Sequence, residues 1–245
     1  MPQYFIHDTL SPGTTARITG DDFHHLSKVR RAKPGDPVML RDMTGTLYEG
    51  WVAAVREDEL LVDVSSAART GSAMPHLTLA MALLKNKNFD LVVEKCVEVG
   101  VSRIVPLVSE RTVPEIGGKE EKKLERWRAI AEAASKQSLR SFVPEVEPPA
   151  SFKEFVSRQH DGFLLCAHPS NDGMTLRSAA SPFDGSSAVI LVGPEGGFSP
   201  AEISLAGSNG FLNVNIGETQ MRAETAGIVL PALVIYELMT KYRFL

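Results

Sequence analysis

Cysteine is scarce in this sequence. Only Cys96 and Cys166 occur. They form no C-x-x-C pair, and each sits in an apolar run, as buried structural cysteines do. This excludes a disulfide framework and points to a reducing compartment, so a cytoplasmic location is expected. No long hydrophobic run is present either. The longest, Ala226 to Met239, contains Pro231 and is too short to cross a bilayer, so it is expected to be a buried helix. The start, Met1-Pro2-Gln3-Tyr4-Phe5-Ile6-His7-Asp8, lacks the basic and apolar regions of a signal peptide.

Several chemical signatures are missing as well. There is no G-x-x-x-x-G-K-[ST] phosphate cradle, no G-x-G-x-x-G dinucleotide turn and no G-x-S-x-G nucleophile elbow. His24 and His25 have no cysteine or acid at ligand spacing, so no metal is expected and the pair reads as packing or surface histidines. Excess positive charge is absent too, the net charge being −4. That argues against a protein gripping nucleic acid with its whole surface, but not against local patches. Lys28, Arg30, Arg31 and Lys33 form one such patch. Lys119, Lys122, Lys123, Arg126, Arg128, Lys136 and Arg140 form a second, diluted by Glu120, Glu121, Glu125 and Glu132, which taken alone reads first as a solvated helix face.

What is present is enough apolar residue, 43% of the chain, to build a core without staples. The first 70 or so residues read as short strands at Val38–Leu40, Thr46–Tyr48, Trp51–Val55 and Leu60–Val64, separated by turn signals. A short helix from an N-cap at Asp21 or Asp22 to about Arg31 interrupts this small barrel or half-barrel. Ala67 to Pro75, small and polar, reads as a linker. Strands and helices then alternate. Strands are expected at Leu77–Leu84, Arg103–Val108, Phe163–Cys166, Ala188–Val192 and Asn213–Ile216. Helices are expected at Phe89–Val99, ended by Gly100, at Glu120–Ser138, after the capping box Ser151–Glu154, and at Glu224–Tyr242. The alternation predicts an α/β fold with a parallel sheet covered on both faces. The last helix is apolar nearly all round from Ile228 to Ile235, which requires cover by another helix of the chain or by a partner subunit.

Two loops carry the chemistry. Leu191-Val192-Gly193-Pro194-Glu195-Gly196-Gly197-Phe198 runs from a buried strand through a glycine turn into a helix opened by Ser199, Pro200 and Glu202. Such strand ends are where α/β proteins bind ligands. Glu195 would repel phosphate, so the ligand is expected to be uncharged or cationic there; alternatively the turn is purely structural. The second loop, Ile216-Gly217-Glu218-Thr219-Gln220-Met221-Arg222-Ala223-Glu224-Thr225-Ala226, leads one arginine into the last helix. Between Glu218 and Glu224, Arg222 reads as either a salt-bridge partner or a functional cation.

Together, Gly-Pro-Glu-Gly-Gly-Phe-Ser and Met-Arg-Ala-Glu-Thr-Ala resemble the RsmE family, whose members methylate N3 of a uridine in 16S rRNA. The resemblance extends over nearly the whole chain. It includes His24-His25-Leu26-Ser27-Lys28-Val29-Arg30-Arg31 with Gly35-Asp36, then Lys95 to Val101, Ser109-Glu110-Arg111-Thr112 and Gln137-Ser138-Leu139-Arg140. Thr219 and Gln220 depart from the family pattern, at what reads as a secondary RNA or loop contact.

The resemblance implies a PUA-like β-barrel for RNA binding over residues 1–72 and a SPOUT domain, an α/β-knot with a trefoil-knotted parallel sheet, over 73–245. It implies a homodimer, S-adenosylmethionine as cofactor, and 16S rRNA, within the 30S subunit, as substrate. The cofactor would be held by backbone groups and apolar walls from Leu165 to His168, Leu191 to Gly197, Ile216-Gly217 and Met221 to Ala226. The residues singled out are Leu165, Ala167, Val192, Gly193, Glu195, Gly196, Gly197, Ile216, Gly217, Met221, Ala223, Thr225 and Ala226. Arg222 would stabilise charge on the base, with Glu224 orienting it, relaying a proton or complementing the helix dipole. RNA contacts are implied at Lys28, Arg30, Arg31, Arg111 and Arg140. Two rivals stand beside this reading: a related SPOUT enzyme acting on tRNA or ribose, and a non-enzymatic RNA-binding assembly factor.

Overall fold

The computed structural model describes residues 3–6, 8–42, 44–69, 75–85, 87–113, 118, 120–168, 173–183 and 187–242. The chain divides into two units. One comprises residues 1–73 with Ser135–Phe142, and the other comprises residues 74–134 and 143–245.

In the first unit, β1 (Gln3–Phe5), β2 (Thr15–Thr19), β3 (Pro37–Arg41), β4 (Leu47–Val55) and β5 (Glu59–Arg69) form a sheet in the order β1-β3-β4-β5-β2. The β1 and β3 strands are parallel and the other pairs antiparallel. Buried and exposed residues alternate along β2 and most of β4, and Tyr4, Ile18, Val38, Leu40, Val52, Leu60 and Val62 close a core.

Two expected strands, Thr46–Tyr48 and Trp51–Val55, are one continuous β4. Register shifts against β5 at Leu47/Tyr48, Glu49/Gly50 and Val52/Ala54 absorb what reads locally as a turn. The β5 strand also extends through Ala67–Arg69 into the expected linker, because Leu47 and Tyr48 supply pairing partners; residues 70–74 of that linker lie outside the described residues. The expected helix splits into α1 (Gly20–His24) and a wider π-helical turn, His25–Val29, in which Arg30 N–H donates to the His25 carbonyl. Its N-cap is Thr19 rather than an aspartate, and the Thr19 side chain makes no capping bond. Arg31, at φ 54°, ends the turn.

The segment Ser135–Phe142 belongs to this unit for a visible reason. Buried Gln3 donates through Nε2 to the carbonyls of Ser135 and Arg140, while its Oε1 accepts from Arg41 Nε at 3.1 Å. Leu139, at φ 57°, takes the left-handed position after the helix, and Arg140 N–H returns to the Ser135 carbonyl.

The second unit is an all-parallel sheet. Its elements are β6 (His76–Ala82), α2 (Asn88–Val99), β7 (Arg103–Val108), α3 (Glu120–Gln137), β8 (Glu145–Val146), β9 (Ala150–Ser151) and α4 (Phe152–Val156). They continue with β10 (Phe163–Ala167), β11 (Met174–Thr175), α5 (Leu176–Ala180), β12 (Ser187–Val192), α6 (Pro200–Ser208), β13 (Leu212–Asn215) and α7 (Ala223–Tyr242). The strand order is β11-β13-β10-β12-β6-β7-β8, with β9 also on β7.

Both faces of the sheet are buried. Leu77, Leu79 and Met81 of β6 and Ala188, Ile190 and Val192 of β12 pack with α2, α3, α5 and α7. Ala80, Val189 and Leu191 turn to the opposite face, against Phe152 and Phe155 of α4 and Ala206 of α6. Each fully buried leucine or isoleucine contributes about 1.5–3 kcal/mol, which explains why the central strands read as continuous apolar runs. Both expected capping boxes form, Ser151 with Glu154 and Ser199 with Glu202. Among the described residues, no helix is long and apolar enough to cross a membrane.

Candidate active site

Strands β10, β12 and β13 are adjacent and parallel, so their carboxyl ends open on the same edge. A cavity of about 560 Å³ lies there, within the size range of small-ligand pockets. Its wall takes Ala167 and His168 from the end of β10, Val192 to Glu195 and Gly197 from beyond β12, and Val214 to Ile216 from β13. Thr219 to Glu224 and Ala226 complete it with the start of α7, and Asn88 adds the first turn of α2.

The glycine turn is shaped by two constraints. Gly197, at φ +67°, takes a backbone conformation that side chains disfavour, and its N–H donates to the Pro194 carbonyl at 2.8 Å. A Cβ on Gly193 would stand only 3.1 Å from Phe198 N and 3.2 Å from the Gly197 carbonyl carbon, so the turn folds back on that residue. Below it, buried Glu202 closes the helix cap, accepting from Ser199 N at 2.8 Å. Burial beside Glu202 pushes the Cys166 thiol up to about 12, so it is inert at neutral pH.

Of the expected cofactor residues, Ala167, Val192, Gly193, Glu195, Gly197, Ile216, Met221, Ala223 and Ala226 line the cavity, as do Arg222 and Glu224. Leu165 is fully buried behind the wall. Gly196, Gly217 and Thr225 flank the wall without forming it, Gly196 being turned toward Arg111. Arg222 has no ion-pair partner among the described residues; its side chain is exposed and borders the cavity. Glu224 is half-buried in the first turn of α7. Thr219 and Gln220, expected at a secondary contact, stand in the cavity wall itself.

Asn88, Val214 and Asn215 were not foreseen. Nothing in the linear sequence ties Asn88 to the glycine turn; the pairing of β12 with β6, the strand before α2, brings it there. Among the described residues no group of His, Cys, Asp and Glu is arranged to hold a metal.

The expected RNA residues separate. Lys28, Arg30 and Arg31 are exposed on the π-helical turn and its end, in the same unit as Arg140. Arg140 lies over the Phe142 ring at 4.8 Å; its burial lowers its pKa to about 10, which leaves it charged at neutral pH. Arg111 sits in the other unit, where Nη1 donates to the Gly196 carbonyl at 2.8 Å.

Residues 72–235 match the RNA methyltransferase domain family, and residues 18–65 match the RNA methyltransferase PUA domain family. A ribosomal RNA small subunit methyltransferase E from Synechocystis is 32% identical over 221 residues, covering 88% of this chain and 71% of the relative. Its Mycobacterium bovis counterpart is 30% identical, with 92% and 88% covered. The crystal structure of the Neisseria gonorrhoeae enzyme of that name, bound to S-adenosyl methionine, superposes with a TM-score of 0.85 at 27% identity, covering 95% of this chain and 96% of that one. With a family match over well more than half its length and relatives of this kind beside it, the chain belongs to the ribosomal RNA small subunit methyltransferase E family of RNA methyltransferases.

Proposed function

We propose that the protein methylates N3 of a specific uridine in 16S rRNA, using S-adenosylmethionine. The observation that carries the reading is Arg222, exposed and without an ion-pair partner among the described residues, at the edge of a cavity walled by Glu195, Glu224 and residues at three parallel strand ends. The cavity suits the cofactor in size and charge, because Glu195 and Glu224 in its wall favour a cationic ligand. S-adenosylmethionine supplies an already activated methyl group.

The protein therefore has two tasks, to align the uracil ring and to stabilise the charge that spreads to the uracil oxygens as N3 loses its proton. Arg222 performs the second, its permanently charged planar fork donating to those oxygens. Glu224, next in the wall, receives the proton or holds the fork in place. Met221, Ile216 and Val192 provide apolar wall and exclude water.

In this reading residues 1–72 carry RNA through Lys28, Arg30 and Arg31, assisted by Arg140, and residues 73–245 carry the transfer. A 30S particle in the cytoplasm is the substrate. The active form is a homodimer, which would cover the exposed Leu233 and Tyr236 of α7 and Leu91 of α2. The test is transfer of labelled methyl to 30S subunits lacking N3-methyluridine. Label at N3 of one 16S uridine is expected; label in tRNA or on a ribose oxygen, or no transfer at all, overturns the reading.

A further inference from the structure

The glycine turn has an inner side, formed by Gly193, Pro194, Glu195 and Gly197, which lines the cavity. Its outer side meets Arg111. The guanidinium donates to the Gly196 carbonyl at 2.8 Å, and a Cβ added to Gly196 would stand 3.6 and 3.7 Å from Arg111 Cδ and Cβ. The loop that carries Arg111 is itself fixed. Ser109 N–H donates to Thr112 Oγ1 at 2.9 Å, the two hydroxyls share a bond of 2.8 Å, and Thr112 N–H returns to the Ser109 carbonyl at 3.0 Å.

Other ties reach the turn and the helix that it opens. Glu195 Oε1 accepts from Lys85 N at 3.3 Å, and Glu202 Oε1 accepts from Glu110 N at 2.9 Å. The loops following β6 and β7 thus both tie to the turn after β12, at Glu195 and Gly196, and the β7 loop ties again to Glu202 of the helix that the turn opens. β7 and β12 are not paired with each other, β6 lying between them. Direct ties between the loops that follow them come from the side chains of Arg111 and Glu202. A Gly-Gly pair has the most backbone freedom to lose, so an external tie at Gly196 restricts this turn more than it would a stiffer one.

We propose that Arg111 is a positioning residue, which holds the Gly193–Gly197 turn in the conformation that takes the cofactor. The proposal rests on the assignment of the cavity to S-adenosylmethionine. It gives Arg111 a role in cofactor affinity instead of the RNA contact that the sequence resemblance implies.

The test compares wild type, Arg111→Ala and Arg111→Lys by calorimetric titration with S-adenosylmethionine, alongside thermal melting and binding of a 16S rRNA fragment. Arg111→Ala should bind the cofactor about tenfold more weakly, as expected for losing one charge-assisted hydrogen bond. Its RNA affinity and melting temperature should stay close to wild type. Arg111→Lys should recover part of the affinity, since an ammonium still donates to a single carbonyl. Wild-type cofactor affinity in Arg111→Ala overturns the proposal. If that unchanged affinity comes with weaker RNA binding and a shallower salt dependence, Arg111 is a phosphate contact. A wild-type protein that takes up no S-adenosylmethionine overturns the cavity assignment itself, and the proposal with it.

Discussion

The Cys96 thiol donates to the Gly227 carbonyl at 3.1 Å, tying α2 to the second turn of α7. The approach is close because residue 227 has no side chain. A Cβ there would lie 2.6 Å from Met81 Sδ, 3.0 Å from Met81 Cε and 3.4 Å from Val92 Cγ1, all in fully buried side chains. Since α7 begins with Ala223 and Glu224, directly after Arg222, this contact also fixes the entry of the candidate catalytic residues.

Gly227→Val should therefore destabilise the protein by about 1–3 kcal/mol, the usual cost of overpacking a filled core. Gly227→Ala should cost less, because the Met81 thioether can swing aside. Urea unfolding midpoints measure both; an unchanged midpoint for the valine variant would mean that α7 has room to retreat.

Gly193→Ala should weaken S-adenosylmethionine binding by about tenfold or more, equivalent to about 1.4 kcal/mol, because the new Cβ pushes on Phe198 N and Gly197. Gly196→Ala should lose less, since its Cβ meets Arg111 at ordinary contact distance. Calorimetric titration of both variants decides. Equal losses would remove close approach at Gly193 as the cause.

Arg222→Ala should lower turnover by on the order of 10²–10³ while cofactor affinity stays within a few-fold, the pattern of a lost charge-stabilising donor. Arg222→Lys should restore only part of the rate, because a point charge does not replace a planar fork. Single-turnover assays separate the rate from binding. Near-normal turnover in the alanine variant would leave Arg222 with a structural role.

Much of this site is legible in linear order because its signals are local. Ser199, Pro200 and Glu202 announce a helix start, and a strand running into glycines announces a turn at the sheet edge. Arg103–Val108 is bounded by the same residues in sequence and structure for that reason. Asn88 is not legible, because only the pairing of β6 with β12 brings it into the same cavity wall as Glu195. The single β4 strand was hidden by Gly50, which imitates a turn but sits at a register shift. The stretch Ala67–Arg69 looks like linker until Leu47 and Tyr48 supply its ladder. A knotted path, implied by family resemblance, has no periodic signature at all.

Alkaline stability should follow the buried thiols. Burial raises Cys96, and raises Cys166 from 9.0 to about 12. The unfolded chain then loses these protons at a lower pH than the folded one. The contribution of Cys166 is thus fully present below pH 9 and is lost as pH rises toward 12. Unfolding free energy should fall with a slope of about 1.4 kcal/mol per pH unit for each such cysteine. Cys166→Ala should flatten that slope by one cysteine's share. An identical pH profile in the variant would mean that the thiol titrates normally in the fold.

Replacing Lys28, Arg30 and Arg31 together by alanine should weaken RNA binding without changing which base is methylated, because phosphate contacts position but do not specify. The log–log salt slope should drop by about 2, at roughly 0.7 per lost contact to single-stranded RNA. Cofactor affinity should be untouched. Filter binding across a salt series checks this, and an unchanged slope would mark the patch as solvated surface.

The grouping of Ser135–Phe142 with the first unit means that the chain passes between the two units three times, at 73/74, 134/135 and 142/143. The first unit is therefore not one contiguous stretch of chain. Expressed as residues 1–72 alone, it would lack the two carbonyls that satisfy the buried amide of Gln3. A cut between Arg69 and Pro75 would sever all five strands of the first sheet from the rest of the chain, leaving only the Ser135–Phe142 piece of that unit covalently attached to the second. Exchange of this unit for another would therefore have to carry the eight-residue piece Ser135–Phe142 from within the second unit's sequence as well.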